Sequence, residues 1–453
     1  MFRKILIANR GEIAVRIIKT CRELGIKTIG VYSEADKETL HVTLADEAYY
    51  IGGSRVSESY LNIERIIEVA KKADADAIHP GYGLLSENAD FAKACNRAGI
   101  TFIGPSPEVI QKMGNKIEAR KLMVESGVPI VPGTKSPIKN TDEAVEVAKK
   151  MGYPIMLKAS AGGGGIGIEI INNEDELKQK FASNQRRSEN YFANGEMYLE
   201  KYIQNPRHIE VQILADKYGN TIHLWERDCS TQRHHQKVIE EAPATFLSSE
   251  TRNMLVNTAI KAAKSLEYTN AGTIEFLVSE NQEIYFLEMN TRLQVEHPIT
   301  EEITGIDLVE EQIRIAKGQK LRYRQEDIQC KGHAIEVRIY AEDPVTFFPS
   351  PGTISNITLP EGENIRHELA IQNGSIITPF YDPMIGKMIV KGADRPEAIS
   401  LLKEALEEYG IEGIKTNIPT LMEISSHPKF EQGEITTNFM KTEFNSPMKS
   451  SGR

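Results

Sequence analysis

Cysteine is scarce in this chain, and the four that are present, Cys21, Cys95, Cys229 and Cys330, form no CxxC pair. Their spacing argues against a zinc site or a disulfide framework and indicates reduced thiols in a cytoplasmic protein. Long apolar runs are also missing: none approaches the ~18 residues of a membrane span, so we expect no membrane segment. The first residues lack the layout of a signal peptide, because a helix with charges follows them at once.

An excess of positive charge is missing as well. The chain carries 54 Lys and Arg residues against 64 Asp and Glu residues, a net charge of −10. This balance argues against nucleic acid as a general partner, but it leaves room for local basic pockets that bind anions. With 40% hydrophobic and 26% charged residues the composition is that of an ordinary globular protein, and 453 residues predict two or three domains.

Two well-known phosphate-binding motifs do not occur. The first predicted turn, residues 9–12, lacks the GxGxxG of dinucleotide-binding folds, so we do not expect a nicotinamide enzyme. The glycine run Ala161-Gly-Gly-Gly-Gly165 lacks the GKS/T ending of a Walker A loop. It joins two predicted strands instead of opening a helix, which favours a hairpin lid over a plain linker, since the strand before it carries Lys158.

Residues 1–114 alternate between strand and helix patterns. Strands are predicted at 5–8, 28–32, 77–78 and 101–103, and helices at 12–24, 60–72 and 87–98. This alternation predicts a parallel, doubly wound sheet within an α/β protein that is α+β overall. The loop 79–87 ends a predicted strand and combines glycines with Tyr82. We favour a substrate-lining loop there over a simple glycine turn.

The middle and the end of the chain contain further elements. A helical bridge is predicted at 115–130, a smaller lid unit at about 131–204, and a mixed α+β unit at 332–446. Predicted helices lie at 141–151, 174–192, 249–266 and 395–408, and predicted strands at 155–158, 168–171, 197–203 and 206–214. The donor-rich stretch 226–237 favours anion binding over a solvated loop. The tail at 447–453 is expected to be disordered, with fraying from about residue 446.

A hairpin near the middle of the chain predicts a metal site. Two strands at 273–278 and 284–288 flank turn chemistry at 279–282. If Val278 pairs with Glu283, Glu275 and Glu288 become diagonal neighbours on one face, roughly 7–8 Å apart at the backbone. Asn290 projects from the same face. These hard-oxygen ligands suit Mg²⁺ held together with substrate phosphates, and we favour that over acidic residues that are merely solvated.

The order of these features is that of the ATP-grasp enzymes, and the sequence resembles the biotin carboxylase subunits of biotin-dependent carboxylases over about residues 1–443. The matching stretches are Ile7-Ala-Asn-Arg-Gly-Glu-Ile-Ala14, His79-Pro-Gly-Tyr-Gly83, Lys158-Ala-Ser-Ala-Gly-Gly-Gly-Gly165, Glu226-Arg-Asp-Cys-Ser230, Gln236-Lys237, Glu288-Met-Asn-Thr-Arg292 and Gln294-Val-Glu-His-Pro298. The resemblance implies three domains: an N-terminal domain at 1–114, an ATP-grasp domain at 115–331 and a C-terminal domain at 332–446.

The resemblance also implies a reaction. In that family ATP phosphorylates bicarbonate to carboxyphosphate, which breaks down to CO2 and phosphate, and N1′ of biotin is carboxylated. The implied ATP-binding residues are Lys116, Lys158, Gly163, Gly164, Gly165, Glu200, Lys201, Tyr202, Ile203, His208, Gln232, His235, Leu277, Glu275 and Glu288. The implied ligands of Mg²⁺ or Mn²⁺ are Glu275, Glu288 and Asn290. Bicarbonate and biotin are expected at Lys237, Arg292, Gln294, Val295, Glu296, Arg338, Tyr82 and Gly83, with Glu296 as the base and Arg338 at the ureido oxygen.

Two positions depart from the family pattern. Ile166 stands where relatives commonly carry Arg or Lys in the glycine lid, and His234 replaces a common Arg. The first change removes a cation that could reach phosphates, so we expect it to alter ATP handling. We interpret both changes as a subfamily trait, because the other implied catalytic positions are intact.

The partners follow from what the chain does not contain. Biotin attachment normally uses Met-Lys-Met, whereas Met440-Lys441-Thr442 and Met448-Lys449-Ser450 lack the second methionine. We therefore expect biotin to be a substrate on a separate carboxyl carrier protein, used together with carboxyltransferase subunits. The resemblance implies a homodimer that serves an acyl-CoA carboxylase, as in fatty acid biosynthesis, although acetyl-CoA, propionyl-CoA, methylcrotonyl-CoA and pyruvate systems share similar subunits.

Two other functions remain open from the sequence. The first is another ATP-grasp ligase, such as a carbamoyl-phosphate or purine-pathway enzyme, which would share the lysines, the lid and the metal carboxylates. It would not need Glu296 together with Arg338 and Tyr82. The second is a nucleotide-binding regulatory protein without catalysis, which the presence of Lys237, Glu296 and Arg338 disfavours.

Overall fold

The structure is a computed structural model and describes residues 2–134, 136–159, 168–192 and 195–444. It begins with a five-stranded parallel sheet in the order β3-β2-β1-β4-β5. The strands are β1 (Lys4–Ile7), β2 (Lys27–Ser33), β3 (Glu47–Gly52), β4 (Ala77–His79) and β5 (Thr101–Phe102). The helices are α1 (Gly11–Glu23), α2 (Leu40–Leu44), α3 (Ile63–Lys72), α4 (Ala89–Arg97) and α5 (Pro107–Gly114).

Alternating side chains of the strands pack against helices on the two faces of this sheet. Ile5 and Ile7 contact the α1 cluster, whereas Leu6 belongs to the cluster that includes α3 and α4. The predicted doubly wound parallel sheet is therefore confirmed. The sequence pattern does not reveal β3, which lies at the edge of the sheet and has only one fully buried residue, Ile51, so it shows no continuous apolar run.

Helix starts differ from the predictions where a capping side chain sets them. The helix predicted from residue 60 begins at Ile63, because the side chain of Asn62 accepts a hydrogen bond from the Arg65 N–H. In the same way Asn88 caps α4, so this helix begins later than the predicted residue 87. An N-cap residue keeps a non-helical backbone, so the chain before it does not join the helix.

A small antiparallel sheet, in the order β7-β6-β8, follows the first sheet. Its strands are β6 (Ile155–Ala159), β7 (Ile168–Ile171) and β8 (Met197–Lys201), and the helices around it are α6 (Lys116–Glu125), α7 (Thr141–Met151) and α8 (Glu174–Phe192). Along β6 buried and half-buried residues alternate, because one face packs against α7 and α8. The helices predicted at 141–151 and 174–192 are confirmed, whereas the helical bridge predicted to reach 130 ends at Glu125.

The next elements build most of the central sheet. The strands are β9 (Arg207–Ala215), β10 (Thr221–Arg233), β11 (Gln236–Ala242), β12 (Asn270–Val278), β13 (Ile284–Asn290) and β14 (His333–Tyr340). The helices are α9 (Ser249–Ser265), α10 (His297–Thr304) and α11 (Leu308–Ala316). The donor-rich stretch 226–237 is thus not a loop: it lies in β10 and β11, with His234 and His235 at the turn between them.

The last part of the chain supplies the two remaining strands of this sheet, together with other elements. Its strands are β15 (Gly352–Thr353), β16 (Asn356–Thr358), β17 (Ile365–Leu369), β18 (Ile376–Ile377), β19 (Met384–Gly392) and β20 (Gly410–Glu412). Its helices are α12 (Arg395–Glu408), α13 (Ile418–Ser425), α14 (Pro428–Glu431) and α15 (Phe439–Glu443). The eight-stranded sheet has the order β13-β12-β9-β10-β11-β14-β19-β17 and is continuous across residue 332, since β11 pairs with β14.

All four cysteines are free, as their spacing predicts. Within the described ranges, no helix combines the length and the apolar character needed to cross a membrane. The predicted tail at 447–453 lies outside the described residues.

Candidate active site

A cleft of about 2360 Å³ lies between the first sheet, the small sheet and the central sheet. The residues predicted for the site that line it are Tyr82, Gly83, Lys116, Lys158, Glu200, Lys201, Tyr202, Ile203, His208, Gln232, His235, Lys237, Glu275, Leu277, Glu288, Asn290, Arg292, Gln294, Val295, Glu296 and Arg338. The structure therefore brings together every predicted site residue that it describes. The remaining three, Gly163, Gly164 and Gly165, lie outside the described residues, as does Ile166.

The register predicted for the central hairpin is wrong by one residue near its turn. Val278 pairs with Ile284, not with Glu283, and the ladder shifts between Glu275 and Phe276 at a bulge. The turn is longer than predicted, because the Ser279 N–H donates to the Glu283 carbonyl at 2.9 Å. As a result Glu275 lies directly opposite Glu288. Directly opposed residues share one face of a sheet, so the predicted convergence survives the correction.

These residues offer a donor set that fits a divalent cation. The side chain of Glu288 faces the open cleft, and the Asn290 amide donates to Glu275 Oε1 at 2.7 Å. Desolvation and the charge of Glu275 raise the pKa of Glu288. Two mutually repelling carboxylates beside an amide oxygen are the hard-oxygen environment that suits Mg²⁺.

Glu296 is held as an ionised carboxylate by two cations. Lys237 Nζ donates to its Oε1 at 2.5 Å, and Arg338 Nη2 donates to its Oε2 at 3.1 Å. Although burial disfavours the charged form, Lys237 and Arg338 keep the pKa of Glu296 well below its ordinary value. At neutral pH this side chain is therefore ionised, which is the state in which a carboxylate can act as a base.

Lys237 is shared among three carboxylates. Besides Glu296 it donates to Glu210 Oε2 at 2.6 Å and to Glu275 Oε1 at 3.0 Å. Glu275 is predicted to bind the metal and Glu296 to bind bicarbonate, so this one ammonium contacts residues of both predicted subsites. A small anion that enters here would meet a cation between two acidic walls.

Arg227 lies beneath this junction; it belongs to the matching stretch Glu226-Arg-Asp-Cys-Ser230, but the sequence assigns it no role. It is 0% exposed and donates to Glu210 Oε1 at 2.5 Å and to Gln294 Oε1 at 2.6 Å. The amide of Gln294 in turn donates to Glu275 at 2.7 Å. The sequence gives no signal for this role: Glu210 alternates with Ile209 and Val211, which predicts a solvent-facing charge, and only the structure shows that it is buried and needs a buried cation.

Arg292 is oriented from the first sheet. Its Nε donates to Glu87 Oε2 at 2.7 Å, and its Nη2 donates to Asn290 Oδ1 at 2.9 Å. Glu87 also accepts from the Thr291 N–H at 3.0 Å. Glu87 ends the loop that is predicted to line a substrate, but nothing in the sequence distinguishes it from the other residues of that loop.

Glu240, which the sequence motifs do not indicate, holds the Arg338 side chain in place. The Arg338 Nε donates to Glu240 Oε1 at 2.6 Å, across the β11–β14 pair. Burial raises the pKa of Glu240 to about 7, although the Arg338 charge opposes this rise. Arg338 therefore contacts two acidic groups, Glu240 and Glu296, and points its guanidinium into the cleft.

The other end of the cleft combines cations with an apolar wall. Arg120 donates to Glu200 Oε1 at 2.7 Å, and Lys158 donates to Glu200 Oε2. An apolar cluster of Val131, Ile203, Tyr285 and Leu277 lies beside them. An apolar wall next to cations suits a purine base with its phosphates.

His208 connects this end to the carboxylates that are predicted to bind the metal. Its Nδ1 lies 2.7 Å from the Gln232 amide and its Nε2 lies 2.8 Å from Glu275 Oε2. Burial disfavours the imidazolium, but the Glu275 carboxylate outweighs it and raises the pKa of His208. At the rim, His234 and His235 both have positive φ, 49° and 65°, at the exposed turn between β10 and β11.

Comparisons with known proteins match nearly the whole chain. Three family models match in order: Biotin carboxylase, N-terminal domain at residues 1–110, Carbamoyl-phosphate synthase L chain, ATP binding domain at 115–324, and Biotin carboxylase C-terminal domain at 336–442. The chain is 62% identical to Biotin carboxylase 2 of Bacillus subtilis, over 97% of this chain and 99% of that protein. It is 53% identical to a pyruvate carboxylase subunit of Methanothermobacter thermautotrophicus, over 97% and 90%.

A solved structure also matches nearly the whole chain. The biotin carboxylase domain dimer of the Hydrogenobacter thermophilus 2-oxoglutarate carboxylase, in complex with MgADP, ADP and bicarbonate, superimposes with a TM-score of 0.91 at 50% identity. The match covers 98% of both chains.

Proposed function

The chain belongs to the biotin carboxylase family, and we propose that Glu296, Lys237, Arg292 and Arg338 carry its chemistry. The protein is an ATP-dependent ligase that carboxylates biotin with bicarbonate, the first half-reaction of a biotin-dependent carboxylase. The observation that carries the residue assignment is the ionised Glu296 carboxylate, 2.5 Å from Lys237 and 3.1 Å from Arg338.

Bicarbonate would bind where Lys237, Arg292, Gln294 and the Val295 backbone converge. Glu296 would accept its proton, and a freed bicarbonate oxygen would attack the γ-phosphorus of ATP. The bond from that phosphorus to the bridging oxygen breaks, which releases ADP and forms carboxyphosphate. Bicarbonate is a poor nucleophile, so a base aimed at its proton and cations on its oxygens lower the barrier.

Biotin would bind at Arg338, with Tyr82 and Gly83 beside it. Carboxyphosphate breaks down to CO2 and phosphate, and N1′ of biotin attacks the CO2. Negative charge develops on the ureido oxygen when N1′ gives up its proton, which the phosphate released from carboxyphosphate would accept. The fixed guanidinium of Arg338 would stabilise that charge, and its contact with Glu240 would keep it oriented.

At the other end, Lys116, Lys158 and the glycine run with Gly163, Gly164 and Gly165 would contact the phosphates of ATP. The adenine would lie at the connector that contains Glu200, Lys201, Tyr202 and Ile203, against Leu277, with His208, Gln232 and His235 along the nucleotide. The residues that would hold Mg²⁺ or Mn²⁺ are Glu275, Glu288 and Asn290. A bound divalent ion there would offset the negative charge of the transferred phosphoryl group.

We also propose the domain division 1–114, 115–331 and 332–446, with a lid at about 131–204. The limits of the family matches support this division into three domains.

Biotin would arrive on a separate carrier protein, and carboxyltransferase subunits would use the product. A homodimer is supported by the related Hydrogenobacter dimer, and the four free cysteines support a cytoplasmic location. For the final acceptor we propose an acyl-CoA, as in fatty acid biosynthesis.

One assay tests the residue assignment. Purified protein is supplied with ATP, Mg²⁺, bicarbonate and free biotin, and ADP release is measured with each component omitted in turn. We expect release that depends on both bicarbonate and biotin, and a loss of at least about 10²-fold in Glu296→Gln. Unchanged release in Glu296→Gln would contradict the assignment of the base, and biotin-independent turnover would favour another ATP-grasp ligase.

A further inference from the structure

β19 carries a fully buried lysine directly opposite Arg338. Lys387 is 0% exposed and pairs with Arg338 across β14 and β19. Like charges directly opposite each other destabilise a sheet, and a buried ammonium costs free energy unless it is paired. The contacts of Lys387 must therefore offset the free-energy cost of burying its ammonium group.

Those contacts reach two separate parts of the cleft. Lys387 Nζ donates to the Val295 carbonyl at 2.6 Å and lies 3.4 Å from Glu12 Oε1. The Tyr82 hydroxyl donates to the same oxygen of Glu12. A continuous set of contacts thus runs from the Tyr82 loop, through Glu12 and Lys387, to the Val295 peptide.

One end of this set lies at the proposed bicarbonate subsite, and the other end lies at the proposed biotin subsite. The Val295 carbonyl belongs to the peptide that joins Val295 to Glu296, so a hydrogen bond to it fixes the backbone immediately before the base. Tyr82 lies on the biotin side and comes from the loop after β4. The ATP end is held by a different set of contacts, from Arg120 and Lys158 to Glu200.

We propose that Lys387 is a positioning residue that couples the bicarbonate and biotin subsites, by holding the Val295 peptide and, through Glu12, the Tyr82 loop. This inference rests on the proposed function, because it takes Glu296 and Tyr82 as groups that face the two substrates. Without the ammonium, both subsites loosen together while ATP binding is preserved. Precise placement of reacting groups carries much of an enzyme's rate, so a contact that fixes two subsites has a kinetic effect beyond stability.

The matched control lies on the same strand. Lys391 Nζ donates to the Glu302 carbonyl at 2.6 Å, the same kind of bond at the same length, but Glu302 does not line the cleft as Val295 does. Lys387→Met and Lys391→Met therefore remove equivalent bonds. Glu12→Gln keeps the size of the side chain and removes the carboxylate that contacts both Lys387 and Tyr82.

The experiment measures KM for bicarbonate, free biotin and ATP by ADP release in the intact protein. In Lys387→Met we expect KM for bicarbonate and for biotin to rise roughly tenfold, as for a lost charged hydrogen bond, with KM for ATP changed less than about twofold. Glu12→Gln should also raise KM for bicarbonate, because Glu12 lies beside the ammonium that donates to the Val295 carbonyl. In the double variant the two effects should not add, because they act through one path. Lys391→Met should leave all three constants unchanged.

Several results would overturn the coupling. These are an equal rise of all three constants in Lys387→Met, additive effects in the double variant, or an unchanged bicarbonate KM in Glu12→Gln. The last result decides the matter alone if Lys387→Met does not fold. An active wild-type protein with such variants overturns the coupling only, whereas a wild-type protein without bicarbonate- and biotin-dependent ADP release overturns the proposed function and the coupling with it.

Discussion

Glu275 lies directly opposite Glu288 in the hairpin of β12 and β13, and both carboxylates line the same cleft. The two differ in their surroundings. Glu275 accepts from Lys237, Gln294 and Asn290, and although burial opposes it, Lys237 and His208 hold its pKa well below the ordinary value. Glu288 faces the open cleft, and its pKa is raised by desolvation and by Glu275. The protein therefore neutralises Glu275 with its own cations and leaves Glu288 more available to the proposed metal ion.

Glu288→Gln should weaken the use of Mg²⁺ without destabilising the fold. We expect the Mg²⁺ concentration for half-maximal ADP release to rise about tenfold or more, equivalent to about 1.4 kcal/mol. The melting temperature should stay the same or rise, because the substitution removes repulsion from Glu275. Glu280→Gln, in the exposed turn of the same hairpin, serves as the control. An unchanged Mg²⁺ requirement in Glu288→Gln would contradict the metal assignment.

The hairpin also shows how far the sequence could predict this site. Alternating residues and turn chemistry indicate the two strands and the shared face of the carboxylates. They do not determine whether Glu283 belongs to the turn or to the strand, nor that a bulge follows Glu275, because both depend on hydrogen bonds that local sequence leaves undecided.

The sequence also does not predict contacts between segments that are far apart along the chain. Arg227 and Lys387 find their partners on other elements, Thr300 and Val295 among them, 73 and 92 residues away in sequence. No local periodicity encodes such pairs. The residue types at the cleft could be predicted from motifs, whereas the buried cations that hold those residues in place required the three-dimensional arrangement.

Arg227→Met should destabilise the protein strongly. The substitution leaves Glu210, which is 0% exposed, without its guanidinium partner, and it releases Gln294. Breaking a buried ion pair from one side typically costs about 3–5 kcal/mol. We expect a loss of that size in the free energy of unfolding, measured by urea denaturation. Arg65→Met, which breaks the exposed Arg65–Glu68 pair, should change it by less than about 1 kcal/mol. Equal effects in the two variants would contradict this account.

Glu87→Gln should impair bicarbonate use selectively. Glu87 accepts from Arg292 Nε and from the Thr291 N–H, so the neutral amide loosens the guanidinium that is proposed to contact bicarbonate. We expect KM for bicarbonate to rise roughly tenfold, the scale of a lost charge-assisted hydrogen bond, with KM for ATP unchanged. Glu47→Gln removes the Lys4–Glu47 pair of the first sheet, which also has a 2.7 Å contact, and should alter neither constant. A rise of both constants in Glu87→Gln would indicate general damage to the cleft.

Glu241 should make stability depend on acid pH. It accepts from Arg395 Nε at 2.6 Å and lies 3.0 Å from His333 Nε2. Burial opposes the shift, but these partners lower the pKa of Glu241 from 4.5 to about 2. A carboxylate with a depressed pKa stabilises the fold above its unfolded pKa, near 4.5, and this contribution is lost as the pH falls towards 2. The shift corresponds to roughly 3 kcal/mol at neutral pH.

Urea unfolding of the wild type and Glu241→Gln from about pH 7 to about pH 3 should show a difference in the free energy of unfolding that is largest at the neutral end and shrinks below about pH 4.5. Glu361→Gln, on an exposed loop, should show no such trend, and a difference for Glu241→Gln that is independent of pH would rule out this contribution.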